Sequence, residues 1–296
     1  MKILLTGRNG QLGSEMHRSL STKGKVYAFN SEELNLAESH KIVDVIRSIK
    51  PDIIVNTAAY TAVDKAELEP LYANVINHLA PSIMAHEAEK IGSTMVHFST
   101  DYVFDGTKQG AYVESDPTNP LNVYGSTKLS GEIAVSNTCS RNLILRTSWV
   151  HGMHGHNFIK AILRQAREKQ EMSVVIDQRG VPTSAAFLAD ITTDLLARAF
   201  NKPESFQYGT YHLTALGNTS RYEYVRFLVQ ECLDRGVSLR LSVDGIKPIK
   251  TIEYGDKARR PLNSCLDTYK FRDTFNMYLP EWEKGVRHTL NQILIS

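Results

Sequence analysis

Lys2-Ile3-Leu4-Leu5-Thr6-Gly7-Arg8-Asn9-Gly10-Gln11-Leu12-Gly13 opens the chain, and its reading decides the fold class. Residues 2–6 form a short apolar run of the kind a buried parallel strand needs. The run passes without a linker into Gly-x-x-Gly-x-x-Gly and then into Ser14-Glu15-Met16-His17-Arg18-Ser19-Leu20, which suits a helix. Glycines at such a turn let the backbone approach a pyrophosphate, which then lies on the positive N-terminus of the helix. The expectation is a dinucleotide site on a doubly wound parallel Rossmann sheet.

The rest of the first half fits that expectation, because strand and helix patterns alternate along it. Val26–Phe29 reads as the second strand, His40–Ile49 as a helix, and Pro51–Asn56 as the third strand. A long helix is expected from about Glu69 to Ile91, then a strand at Thr94–Ser99, a helix at Tyr124–Val135 and a strand at Asn142–Arg146. Beyond Trp149 the connections lengthen, although helices are clear at Asn157–Lys169 and Ala186–Phe200. Residues 1–150 are expected to hold the cofactor and residues 151–296 to form a smaller α/β substrate lobe. A segment at about 185–215, ending in Gly209-Thr210-Tyr211-His212-Leu213, returns to the first lobe, so the two interleave.

Composition bounds the function classes. The 34 basic and 32 acidic residues leave a formal charge of +2, which argues against a nucleic-acid or membrane-binding surface. No apolar run approaches the ~20 residues that span a bilayer. Cys139, Cys232 and Cys265 are scattered and odd in number, so they read as reduced thiols of a cytoplasmic protein rather than disulfides or a zinc site.

Chemistry gathers where these strands end, which is where open α/β sheets bind ligands. Asn56-Thr57-Ala58-Ala59-Tyr60-Thr61 closes the third strand with small residues that leave room for a flat cofactor. Ser99-Thr100-Asp101 presents a hydroxyl and a carboxylate. Tyr124 and Lys128, four apart, project from one face of the next helix. A cation beside the phenol would bring its acidity toward working pH. Thr100 would then hold a carbonyl oxygen, Tyr124 protonate it and Lys128 stabilise the phenolate, which amounts to a carbonyl-reduction site.

Several strings carry a family resemblance: Asn-x-Ala-Ala-Tyr-Thr-Ala-Val-Asp-Lys-Ala-Glu from Asn56, Ser-Thr-Asp-Tyr-Val-Phe-Asp-Gly from Ser99, Asn-Val-Tyr-Gly-x-Thr-Lys-Leu-x-Gly-Glu from Asn122, Arg-Thr-Ser-Trp-Val from Arg146, Asp-Gln-x-Gly-x-Pro-Thr from Asp177 and Arg-Arg-Pro from Arg259. In order, and over essentially the whole chain, they resemble the dTDP-4-dehydrorhamnose reductases, extended short-chain dehydrogenase/reductases. The resemblance implies reduction of the 4-keto group of dTDP-4-dehydro-L-rhamnose by NADPH or NADH. It implies Thr100, Tyr124 and Lys128 as catalytic residues, and Asp101, Trp149 and Arg260 as further substrate contacts, with Arg260 forking onto the diphosphate. Implied cofactor contacts are Gly7, Arg8, Gly10, Gln11, Leu12, Gly13, Asn30, Asn35, Leu36, Ala59, Tyr60 and Thr61, with Tyr124 and Lys128. Asp177–Thr183 would line the cleft near the nucleotide.

Two departures bear on partners. Asn30 stands where an acid often holds the ribose 2′-OH of NADH, and Arg8 could pair with a 2′-phosphate, so NADPH is the favoured cofactor. Some family members hold magnesium with carboxylates at a dimer contact. Glu15 matches one such position, but Ala186 and Gln292 occupy the later ones, which leaves Mg²⁺ and a homodimer open. Two other readings share the strings: a non-catalytic regulatory subunit of methionine adenosyltransferase type, and a nucleotide-sugar 4-epimerase that retains NAD. The intact Thr100, Tyr124 and Lys128 set favours the reductase.

Overall fold

A computed structural model describes residues 1–255 and 257–295. Ser296, the last residue of the expected second lobe, and Asp256 within it lie outside the described residues. Consecutive side chains of the first strand, β1 (Lys2–Thr6), enter two different cores: Ile3 and Leu5 one, Leu4 the other. The same alternation runs through β3 (Ile53–Asn56), β4 (Thr94–Thr100) and β5 (Asn142–Thr147). A strand covered on both faces has no polar side, which is why these segments read as continuous apolar runs.

With β2 (Lys25–Phe29) and the strand Gly209–His212, these make a six-stranded sheet ordered 209–212, β5, β4, β3, β1, β2. Every pairing in it is parallel. Residues 209–212 thus rejoin the sheet beside β5, as their sequence suggests. Helices Gln11–Leu20 and Ala185–Asn201 cover one face, and Ser39–Ile49, Ala80–Ile91 and Val123–Thr138 the other. Strand order reverses between β1 and β3, so the loops leaving those two strands diverge and open a crevice.

The long helix expected over Glu69–Ile91 is broken. It runs as Pro70–Asn74, a wide π turn at Val75–Leu79, and Ala80–Ile91. Pro81 has no N–H to give the carbonyl four residues back, and the wide turn absorbs the loss. The released Asn77 carbonyl lies against Gly131, where a Cβ would come within 2.0 Å of it. Helix Val123–Thr138 therefore packs backbone to backbone on the π turn. On its other side the buried Glu132 pairs with Arg146 of β5, Nε to Oε2 at 3.0 Å.

Ile159, Leu163, Tyr224, Leu228, Trp282 and Val286 centre a second core. Its strands are short pairs: Met172–Val175 with Ile246–Ile249, Arg179–Gly180 with Thr219–Ser220, and Val150–His151 with Thr183–Ser184. Among the described residues no helix is long and apolar enough to cross a membrane. The three cysteines are unpaired and buried.

Candidate active site

A cavity of about 720 Å³ lies over the C-terminal ends of β1, β3, β4 and β5. Its floor at the switch point is the glycine turn. Gly7 has φ +80°, and a Cβ on it would meet Ala58 N and Thr57 Oγ1 at 2.9 Å. At Gly13 a Cβ would stand 1.9 Å from the Gly7 carbonyl oxygen. Those two glycines let the first helix start against the loop leaving β3, while Gly10, Gln11 and Leu12 face the cavity. No side chain caps helix Gln11–Leu20, so its first N–H groups remain open for an anion. Asn30, Asn35, Leu36, Ala59, Tyr60 and Thr61 also line the cavity.

The ribose end differs from the sequence reading. Asn30 Oδ1 accepts the N–H of Glu32 and of Glu33 at 2.9 and 3.0 Å, a tight turn that brings Glu33 back. The Glu33 carboxylate then accepts the Asn30 N–H at 2.9 Å and pairs with Arg8 at 3.0 Å. An acid does stand beside position 30, supplied from three residues on, and Arg8 is engaged with it.

On the far side of the floor, Asn122 caps the helix that carries Tyr124. Its Oδ1 accepts the Gly125 N–H at 2.8 Å, and its Nδ2 donates to the Arg259 carbonyl at 2.8 Å. Lys128, only 2% exposed, donates to the Phe98 carbonyl at 2.5 Å and meets His97 Nε2 at 3.3 Å. A buried chain of hydrogen bonds stands behind that contact. Asn56 Oδ1 accepts from Thr6 Oγ1 at 2.7 Å and from the Ala58 N–H at 3.2 Å, which fixes the orientation of the amide. Its Nδ2 therefore donates to His97 Nδ1, at 3.2 Å, and the neutral imidazole carries its proton on Nε2, facing Lys128. Burial holds His97 well below its ordinary pKa, and Lys128 adds to the effect. Burial likewise lowers Lys128 to about 8, opposed by Glu132.

The expected contact of ammonium and phenol is not made here. No hydrogen bond joins Lys128 to Tyr124 among the described residues, since the β4 carbonyl and His97 take up Nζ. Burial raises the Tyr124 pKa, with the Thr100 hydroxyl opposing it. Thr100 donates to Asp101 Oδ1 at 2.9 Å and accepts the Tyr102 N–H at 3.1 Å. Burial lifts Asp101 to about 6 against hydrogen bonds from Ser264 and Thr100. Among the described residues Asp101 Oδ2, Ser99 Oγ, Thr147 Oγ1 and Gln11 Oε1 are buried with no hydrogen-bond partner, and all four residues line the cavity. Such groups are costly unless a polar ligand meets them.

The opposite wall is Trp149. Its φ of +43° is strained for a bulky residue. Three neighbours hold the ring: Gly180, where a Cβ would stand 2.5 Å away, Tyr224 stacked at 6.3 Å, and the Arg221 guanidinium 3.6 Å from the ring centroid. Arg221 lines the cavity and gave no signal in the sequence. Arg260 does not line it. Its Nη2 lies 2.9 Å from Asp64 Oδ2 and its Nη1 3.3 Å from Oδ1. The 177–183 motif also stays behind the wall: Asp177 accepts from the Thr251 N–H and hydroxyl at 2.9 and 2.7 Å, and the Gln178 carbonyl takes the Arg221 N–H. Glu15 is buried and paired with Arg18 at 2.8 Å. With Ala186 and Gln292 at the other positions, one occupied carboxylate does not fit a divalent cation, and the described residues hold no cluster of three His, Cys, Asp or Glu suited to a metal.

A parallel sheet with a glycine turn at its switch point, facing a hydroxyl, a phenol and an ammonium, defines the class: a Rossmann-type oxidoreductase dependent on NAD(P)H. The family described as the RmlD substrate binding domain matches residues 1–295. The dTDP-4-dehydrorhamnose reductase of Escherichia coli K12 is 43% identical over 99% of this chain and 98% of its own. Solved reductases of that name from Bacillus anthracis, in complex with NADP, and from a Clostridium acetobutylicum orthologue superpose with TM-scores of 0.89 and 0.90. Their identities are 32% and 33%, covering 98% and 99% of this chain and 99% and 100% of theirs. The chain belongs to the dTDP-4-dehydrorhamnose reductase family.

Proposed function

We propose that this chain reduces the C4 ketone of dTDP-4-dehydro-L-rhamnose with NADPH, giving dTDP-L-rhamnose, the last step in making that activated sugar. The observation that supports this most is the convergence of Thr100, Tyr124 and Lys128 on one cavity that begins at the glycine turn. When bound, NADPH supplies the hydride that reduces C4. Thr100 holds the ketone oxygen, and Tyr124 gives that oxygen its proton. The raised pKa of the buried phenol keeps the proton in place until negative charge develops on the substrate. Lys128, lowered to about 8 by burial, is mostly protonated at neutral pH and keeps a positive charge in the site that favours the phenolate, with no hydrogen bond joining the two at rest. Asp101 Oδ2 and Trp149 hold the sugar.

Arg260 reaches the diphosphate by exchanging Asp64 for phosphate oxygens, a fork it can fill equally well. Residues 1–150 with the returning 185–215 segment serve the cofactor, and the remainder serves the sugar nucleotide. Mass spectrometry of nucleotides released from purified protein tests the reading. A reductase yields exchangeable NADP(H) or no nucleotide, whereas stoichiometric, tightly held NAD⁺ would contradict it in favour of an epimerase.

A further inference from the structure

Arg221 is the first residue of helix Arg221–Asp234, and its guanidinium lies 3.6 Å from the centroid of Trp149 and 4.7 Å from that of Phe158. Stacking occupies the flat faces of the group and leaves its five N–H donors, which lie in the plane, pointing outward. Among the described residues no oxygen accepts a hydrogen bond from any of them. An arginine held this way has little rotamer freedom left to lose on binding. Its backbone is fixed as well, by the N–H given to the Gln178 carbonyl at 3.0 Å.

The charges around it are telling. Burial raises the Tyr102 pKa, opposed by Arg221 and Arg260, and burial lowers that of Arg221, with Arg260 adding to the effect. Asp101 is a nearby carboxylate, but its hydrogen bond is to Thr100. Two guanidinium groups therefore converge about Tyr102 at the substrate wall, and among the described residues Arg221 makes no ion pair. A group carrying two negative charges on adjacent centres is the complement of that arrangement.

We propose that Arg221 is a substrate-binding residue: with Arg260 it clamps the diphosphate of the sugar nucleotide, from a position set by its stack on Trp149. The proposal rests on the nucleotide-sugar reading above and adds to it a residue that couples the sugar wall to the phosphates. Because the same guanidinium covers the Trp149 ring, phosphate binding also fixes the wall against which the sugar lies.

Titration of dTDP, dTMP and NADPH into the parent and into Arg221→Gln and Arg221→Met tests it. Both variants keep a side chain over Trp149 while removing the charge. Loss of one charge-assisted contact should weaken dTDP roughly 10- to 100-fold. dTMP should weaken less, so that the preference for diphosphate over monophosphate collapses, while NADPH binds as in the parent. A dTDP affinity within twofold of the parent would overturn the proposal, as would equal losses of dTDP and dTMP. If the parent itself fails to bind dTDP, it is the nucleotide-sugar reading that fails. A general loss of fold would show as weaker NADPH binding, and Arg221→Lys then decides: recovery of NADPH binding with dTDP still weak supports the clamp, and recovery of both overturns it.

Discussion

The two walls of the cavity are built by different means. The cofactor wall comes from consecutive strand ends and one glycine turn, so that Gly7, Gly13 and Ala58 meet because β1 and β3 are neighbours in the sheet. The opposite wall is assembled from residues far apart in the chain, Trp149 on Gly180 and Arg221 on Trp149, with Arg260 paired to Asp64 outside the cavity lining. The first depends on backbone close to backbone. The second depends on side chains stacked on one another over short strand pairs. A substitution on one wall should therefore leave the other's ligand almost untouched.

Tyr124, which lines the cavity and is the proposed proton donor, should have the largest effect when lost. Tyr124→Phe keeps the ring packed edge-on to Tyr102 at 5.7 Å and removes only the acid. Turnover should fall by about 10²–10⁴-fold, with both ligands still bound. Activity within threefold or so of the parent would remove the phenol from the mechanism.

Arg260 tests the separation from the substrate side. Arg260→Ala should weaken dTDP by roughly 1.5–3 kcal/mol, and Arg260→Lys should also be damaging because an ammonium lacks the fork. NADPH affinity should stay as it is. Calorimetric titration of the two ligands reads both outcomes, and unchanged dTDP binding would leave Arg260 as the partner of Asp64 alone.

The glycines allow a paired comparison. A methyl at Gly13 collides with a carbonyl oxygen that cannot move without reshaping the turn, whereas one at Gly180 collides with the Trp149 ring. Gly13→Ala should cost NADPH binding and stability together, and Gly180→Ala should raise KM for the sugar nucleotide alone. Each clash is of the order of 1–3 kcal/mol. If both variants lose both ligands equally, the walls are not independent.

The smallest effect expected is at the ribose. Removing the Glu33 charge frees Arg8 and ends repulsion of a 2′-phosphate, so Glu33→Gln should shift the kcat/KM ratio toward NADPH. The pair is part-exposed, so the shift should be at most about fivefold. A shift toward NADH would mean that Glu33 does not act on the 2′ position.

The difference between the walls also explains what could be read from the chain alone. Gly7 to Gly13, Ala59 to Thr61, and Tyr124 with Lys128 lie in contiguous strings that bring them to one cavity, and the succession of strands along the chain followed from apolar runs. Glu33 was missed because it reaches position 30 by a turn built on the Asn30 side chain, not by occupying that place. The π turn escaped because Pro81, about three turns into the helical run from Pro70, signals a kink or a break in sequence but not a wide turn that carries the helix through. Arg221 escaped because nothing within its own helix marks it. Its role depends on Trp149, 72 positions earlier, being held in a strained conformation above Gly180. Lys128 was legible as a partner of the site but not in its resting contacts, which come from the Phe98 carbonyl and His97 across the sheet.

NADPH oxidation on addition of dTDP-4-dehydro-L-rhamnose, with the product identified by mass and by NMR at C4, is the most direct measurement of the central claim. The account predicts one NADPH consumed per sugar and dTDP-L-rhamnose formed. No oxidation by folded, NADPH-binding protein, or consumption of the sugar without consumption of NADPH, would contradict it.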